Sequence, residues 1–124
     1  MSTPDRSRVI RLTEAQADIP GPAGERAVMV LRRGPLDVAL SLPLRPSQQT
    51  PHAQDEIYFI IRGRGVLIHE SKRDPFESGD ILFVAAGTEH QFEDTTDDLA
   101  LWRVFYPVVA RFQYKAWRWP RTPK

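Results

Sequence analysis

The feature that most constrains the fold is the alternation of short apolar runs with turn residues across residues 27–109. The runs are rich in Val, Ile, Phe, Tyr and Trp, and Gly, Pro or Asp recurs about every ten residues. Nothing in this region sustains a 3.6-residue period with helix caps. The pattern predicts an all-β domain of antiparallel strands arranged as a sandwich or barrel. The runs are AVMVLR (27–32), LDVALSL (36–42), EIYFIIR (56–62), VLIHE (66–70), DILFVA (80–85) and LALWRVFYPVV (99–109).

The 124 residues fit one domain with two flanking segments. Residues 1–26 form a polar N-terminal arm rich in Pro and Gly, in which residues 9–18 fit one helical turn or a short edge strand. Residues 27–109 form the β-domain, and residues 110–124 form a C-terminal tail with five Lys or Arg and no acid. The tail interleaves these cations with aromatic residues. We expect it to dock on the barrel or on a second subunit rather than on nucleic acid.

The absence of cysteine excludes disulfides, thiolate zinc sites, iron–sulfur clusters and cysteine nucleophiles. A transition-metal site must therefore use carboxylates and the three histidines. No stretch approaches the roughly 20 apolar residues of a membrane helix, and the first residues lack the apolar centre of a signal peptide. We therefore expect a soluble, cytoplasmic protein without membrane partners.

Two segments carry the candidate chemistry, TPHAQDEIYFIIRGRG (50–65) and SGDILFVAAGTEHQFED (78–94). On an extended chain His52 and Glu56 have the same parity, so both can point to one face of a sheet. Gln54 and Tyr58 share that parity. In the second segment, Ala86-Gly87-Thr88 forms a turn that delivers His90. Two histidines and a carboxylate inside a barrel can form a facial metal site with open positions for substrate or oxygen.

These two segments resemble the paired motifs of the cupin superfamily over roughly residues 35–106. The first motif, G-x5-H-x-H-x(3–4)-E-x6-G, is matched by its second His, its Glu and its closing Gly, which are His52, Glu56 and Gly63. The second, G-x5-P-x-G-x2-H-x3-N, is matched by Gly79, Gly87 and His90. The chain departs from the motifs at four positions. These are Leu44 for the opening Gly, Thr50 for the first His, Ala85 for the Pro and Asp94 for the Asn.

The resemblance implies a single-domain double-stranded β-helix, the jelly-roll barrel of the small conserved-barrel cupins. It implies a divalent metal (Fe, Mn, Ni or Zn) held by His52, Glu56 and His90, with Thr50, Gln48, Gln54 or water completing the set. The barrel would accept a small organic ligand or substrate, and Tyr58 or Gln54 would orient it or transfer a proton. Dioxygenase and isomerase or lyase chemistry both fit.

The main alternative is a non-catalytic sensor or storage cupin with a weakened metal site, which Thr50 in place of a ligand histidine favours. A scaffolding barrel whose tail makes the contacts is a third possibility. Because cupins are commonly dimers, the resemblance also implies a homodimer. Apolar residues of odd parity on the same strand also indicate a dimer, since they need a second layer or a subunit to cover them. These residues are Ile57, Phe59 and Ile61.

The remaining polar candidate residues are expected to have structural rather than catalytic roles. His69 precedes the polar turn SKRDP and is expected to be a solvated strand end. Asp55 is expected to face away from the barrel interior, and RGRG (62–65) to be a turn. Tyr58, Phe92 and Trp102 either line the barrel mouth or fill the barrel.

Overall fold

The structure is a computed structural model that describes residues 6–44, 48–49 and 53–107, of which 48, 49 and 107 are described by their backbone alone. The predictions made for Thr50, His52 and the tail 110–124 lie outside the described residues. Within the described ranges the chain forms one short helix and nine strands. They are α1 (Leu12–Gln16), β1 (Ala27–Arg33), β2 (Leu36–Ser41), β3 (Gln48–Gln49), β4 (Gln54–Arg62), β5 (Arg64–His69), β6 (Lys72–Glu77), β7 (Ile81–Val84), β8 (His90–Glu93) and β9 (Ala100–Pro107).

The strands form two antiparallel sheets, which confirms the predicted all-β barrel. Sheet A has the order β1-β2-β9-β4-β7, and sheet B has the order β3-β8-β5-β6. Long crossovers therefore place β9, the last strand, between β2 and β4. None of the helices in the described ranges is long and apolar enough to cross a membrane.

The main core lies between the two sheets. Alternate residues of each strand point inward because successive side chains of an extended strand face opposite sides. On β4, for example, Tyr58 and Ile60 are buried whereas Phe59, between them, is exposed. The inward residues of both sheets form one apolar cluster: Tyr58, Ile60, Leu67, Phe76, Leu82, Val84, Phe92, Leu99 and Leu101.

A second, smaller core lies on the outer face of sheet A, where the N-terminal arm covers it. Of the two alternatives for residues 9–18, the structure has the helical turn, and Ala15 of α1 packs on Leu40. Ile61 and Trp102 pack against the same cluster. The arm is thus the second layer over Ile61. The placement of Trp102 in or at the mouth of the barrel was wrong, because this side chain belongs to the outer cluster.

The segment SKRDP was wrongly predicted to be a turn. Only Glu70 and Ser71 turn, both with positive φ, and the following KRDPFE forms β6, the edge strand of sheet B. Proline and charged residues are unusual inside a sheet but typical of its edge strands. At an edge, proline can face the side that has no neighbouring strand, where no N–H is needed, and charged side chains discourage pairing with another chain. Pro75 pairs across from Val66 on β5. RGRG does contain the expected turn, at Gly63 between β4 and β5.

Candidate functional site

Strand β4 carries two polar side chains into the barrel interior. Glu56 is 1% exposed and Tyr58 is 2% exposed, and both follow the inward parity of Ile60. A carboxylate this deeply buried is unfavourable unless other groups compensate for its lost hydration. Glu56 therefore needs polar partners inside the barrel.

His90 comes to Glu56 from the opposite sheet. The chain leaves β7 through a turn in which Thr88 N–H donates to the Ala85 carbonyl at 3.1 Å and Gly87 adopts a φ of 82°. This turn places His90 at the start of β8, 3% exposed, with Nε2 at 3.2 Å from Glu56 Oε1. The other ring nitrogen, Nδ1, lies 3.1 Å from the Thr88 carbonyl oxygen.

Tyr58 links the acid and the imidazole. Its hydroxyl donates to Glu56 Oε1 at 2.5 Å and lies 3.3 Å from His90 Nε2. Its ring packs edge-on against Phe92, with the ring centroids 5.3 Å apart. Glu56, Tyr58 and His90 thus form one buried polar cluster above an aromatic layer.

The environment shifts two pKa values in this cluster. Burial raises the pKa of Tyr58, and the hydrogen bond and the charge of Glu56 raise it further, so this phenol remains a neutral donor. For His90, burial lowers the pKa. The hydrogen bonds to Glu56 and the Thr88 carbonyl, with the charge of Glu56, outweigh that effect and leave the pKa raised. Glu56 therefore contributes to raising the pKa of both neighbours.

The donor set partly fits a divalent metal. Glu56 and His90 supply one oxygen and one nitrogen donor, and the Thr88 carbonyl accepts from Nδ1 in the manner that orients ligating histidines through Nε2. No group of three His, Cys, Asp or Glu side chains converges among the described residues. The third predicted ligand, His52, lies outside them.

The remaining predicted residues are placed around this cluster. Gln54 begins β4 and shares the face of Glu56, since the pairing with β9 continues without a shift from Gln54 to Ile60. In the described part of the chain no hydrogen bond joins Gln54 to the cluster. Asp55 points to the other side of the strand, where its Oδ1 accepts from Ala86 N–H at 2.9 Å and so anchors the β7–β8 loop.

His69 is not simply solvated. It ends β5, its side chain is 23% exposed, and its Nε2 lies 2.6 Å from Asp74 Oδ2. It lines an open cleft of about 440 Å³ between the β5–β6 turn and the β7–β8 loop, which also reaches His90. The cleft therefore lies on the His90 side of the cluster.

Sequence reasoning missed two further interior residues, Arg103 and Phe105. Strand β9 pairs Arg103 with Tyr58 and Phe105 with Glu56, so both share the face of the polar cluster. The signal was present in the alternation of β9. Because Leu101 is a core residue, the residues two and four positions later point the same way.

Two sheets of antiparallel strands enclosing a polar His–Glu cluster define the class of double-stranded β-helix proteins. Residues 44–106, about half of the chain, match the family described as Cupin domain. The chain therefore belongs to the cupin family, as the two motifs predicted.

Similar proteins include an uncharacterized protein of Streptomyces coelicolor, which is 37% identical over 59 residues. That match covers 48% of this chain and only 56% of the relative. Among solved structures, a Cupin 2 conserved barrel domain protein from Salinispora arenicola has a TM-score of 0.62 and 21% identity, covering 82% of this chain and 90% of that one. A predicted oxalate decarboxylase of Thermotoga maritima has a TM-score of 0.55 and 22% identity, covering 66% and 79%. At these identities the structural similarities show the fold alone.

Proposed function

We propose that this protein is a metal-binding cupin whose barrel accepts a small organic molecule. The observation that supports this most directly is the arrangement of His90. Its Nδ1 faces the Thr88 carbonyl, and its Nε2 is directed at the Glu56 carboxylate at 3.2 Å. A histidine whose outer nitrogen is held by a carbonyl presents the inner one to a metal. His52, Glu56 and His90 would hold the ion.

A bound Fe, Mn, Ni or Zn ion would act as a Lewis acid toward a carboxylate or enol of the substrate, or would activate oxygen. The protein's own contribution is to position the substrate and move protons. Tyr58 stays protonated, so its hydroxyl can donate a hydrogen bond to a substrate oxygen once Glu56 is otherwise engaged. Gln54, on the same face, would orient the substrate through its amide. A dioxygenation and an isomerisation or lyase step are both compatible with this arrangement of residues.

The test is metal content after reconstitution with each ion, read by elemental analysis and by the absorption of the Co(II)-substituted protein. We expect about one equivalent in the wild type and a loss of metal in His52→Gln and His90→Gln. His69→Gln is the matched control, because His69 is the cross-strand neighbour of His90 but its Nε2 is engaged by Asp74. Less than about a tenth of an equivalent in the wild type, or equal loss in His69→Gln, would refute metal binding at this site.

The second candidate function is a sensor or storage cupin that binds its ligand without a metal. It is favoured by the hydrogen bonds within the cluster, in which Glu56 Oε1 accepts from Tyr58 and pairs with His90. Thr50 in place of a ligand histidine also favours it. The variant Thr50→His separates the two functions. If this variant binds metal tightly while the wild type binds almost none, the result supports the metal-independent sensor or storage cupin.

The homodimer and the cytoplasmic location also remain proposals. The outer face of β4 and β7 exposes Phe59 (39%), Ile81 (61%) and Phe83 (59%), and β7 is an edge strand of sheet A. These three side chains carry no charge, so a second copy can meet the same patch across a two-fold axis without like-charge repulsion. We assign this patch, not the tail alone, as the dimer contact.

A further inference from the structure

Arg103 is a cation in the barrel interior that the proposed metal site does not use. It lies on β9 opposite Tyr58 of β4 and Ala39 of β2, both of which are buried. Its side chain is half-buried, and its Nε is inaccessible to solvent. Among the described residues no hydrogen-bond acceptor reaches that Nε.

The position of the guanidinium is defined by Phe105. The central carbon of the Arg103 guanidinium lies 4.9 Å from the centroid of the Phe105 ring, a cation–π contact. Phe105 itself pairs across from Glu56. The positive charge is therefore held over an aromatic face, on the same side of sheet A as the polar cluster.

The charge of Arg103 also reaches the cluster. It acts to lower the pKa of Tyr58, against the larger effects of burial and Glu56. Yet no carboxylate of the described chain forms an ion pair with Arg103, whereas the exposed Arg32 and Arg73 both have acidic partners. A half-buried guanidinium without an acidic partner is unfavourable, and an anionic ligand at its outer N–H groups would reduce that cost.

We propose that Arg103 binds the carboxylate of the small organic molecule that occupies the barrel. This inference rests on the proposed function, because it assumes that the barrel binds a small organic molecule. It adds that this molecule carries a carboxylate. A planar guanidinium matches a planar carboxylate through paired N–H···O hydrogen bonds, a geometry that an ammonium cannot reproduce. The contact with Phe105 restrains the guanidinium, so less freedom is lost when the carboxylate binds.

The test is calorimetric titration of the full chain at constant ionic strength with matched pairs of probes. Benzoate and malonate are the carboxylates, and benzamide and malonamide are their uncharged counterparts. We expect the carboxylates to bind and the amides not to bind. Arg103→Gln should weaken carboxylate binding about 10- to 100-fold, the effect of losing a charge-assisted hydrogen bond. Arg64→Gln, which removes an exposed arginine at the start of β5, should leave it unchanged.

Arg103→Lys tests the geometry of the guanidinium, and it serves as a second variant in case Arg103→Gln does not fold. It keeps the charge and loses the planar fork, so it should bind the carboxylates with an affinity between those of the wild type and Arg103→Gln. Co(II) loading of each variant, measured in parallel, separates this inference from the proposed function. Unchanged Co(II) loading with lost carboxylate binding supports the role of Arg103. Arg103-dependent carboxylate binding in a protein that takes up no metal also supports it, while refuting the metal site.

Three results would overturn the assignment. The first is equal carboxylate affinity in the wild type and Arg103→Gln, which would make Arg103 a structural countercharge only. The second is amide binding as tight as carboxylate binding. The third is inorganic phosphate, added as a competitor, binding more tightly than any carboxylate in an Arg103-dependent way, which would assign a phosphate ligand instead.

Discussion

Replacing Gly63 by Ala should destabilise the protein more than the same change at any turn glycine with open surroundings. Gly63 has a φ of 88°, and a Cβ built there would lie 2.7 Å from Thr96 Oγ1 and 2.8 Å from the backbone Cα of Leu99. The first contact can relax by a side-chain rotation. The second cannot, because Leu99 is 1% exposed in the main core and moves only with its neighbours.

The two costs can be separated with a matched glycine. Gly79 has a φ of 94°, and a Cβ there would meet no atom within 4 Å. Gly79→Ala should therefore cost only the backbone strain of a left-handed alanine, about 1–2 kcal/mol. Gly63→Ala carries the same strain plus an overpacking cost of about 1–3 kcal/mol, for a total of about 2–5 kcal/mol.

Urea denaturation monitored by circular dichroism measures both values, provided that the slopes of the transitions agree. We expect Gly63→Ala to be less stable than Gly79→Ala by about 1–3 kcal/mol. Equal stabilities within about 0.5 kcal/mol would mean that the strands open around residue 63 at little cost, and the steric explanation of this motif glycine would be wrong.

Four further outcomes are expected. Leu101→Ala should lower the free energy of unfolding by about 2–5 kcal/mol in the same urea assay, since Leu101 is 1% exposed in the main core. Ser71→Gly should raise it by about 0.5–1 kcal/mol, since Ser71 has a φ of 67° in a two-residue hairpin. The raised pKa of Tyr58 means that the folded protein keeps a proton that the unfolded chain releases above pH 10.0, so wild-type stability should fall more steeply there than that of Tyr58→Phe. Phe83→Ser should convert the proposed dimer to a monomer in light scattering, and a dimer that persists would exclude this patch as the contact.

The strand pattern was the most predictable part of the fold, since the alternation of β4 needs only the two-residue period of an extended chain. Asp94, where the second motif has Asn, shows why such a motif position tolerates both residues. Its φ is 54°, a left-handed conformation that Asn and Asp adopt more readily than other residues with a side chain. The errors came where local signals mislead: Pro75 and its charged neighbours look like a turn but form an edge strand.

The second core was beyond local reasoning for a different reason. The parity of Ile61 and Phe59 shows that both leave the barrel interior, but it does not show what covers them. The structure covers Ile61 with the N-terminal arm and leaves Phe59 exposed. Which of two equivalent apolar positions an arm reaches depends on its path in three dimensions, and no period in the sequence encodes that path.

The same limit applies to the site. Parity places Glu56 and Tyr58 on one face, but His90 belongs to the other sheet, and only the family resemblance predicted that the two sheets bring it to Glu56. Tyr58 contacts both the carboxylate and the imidazole, and its ring packs on a layer of aromatic rings, with the Phe92 centroid 5.3 Å from that of Tyr58 and 5.6 Å from that of Phe76. Close packing leaves little room for these rings to adjust. Apolar residues that take no part in the chemistry therefore position the phenol that contacts both the carboxylate and the imidazole.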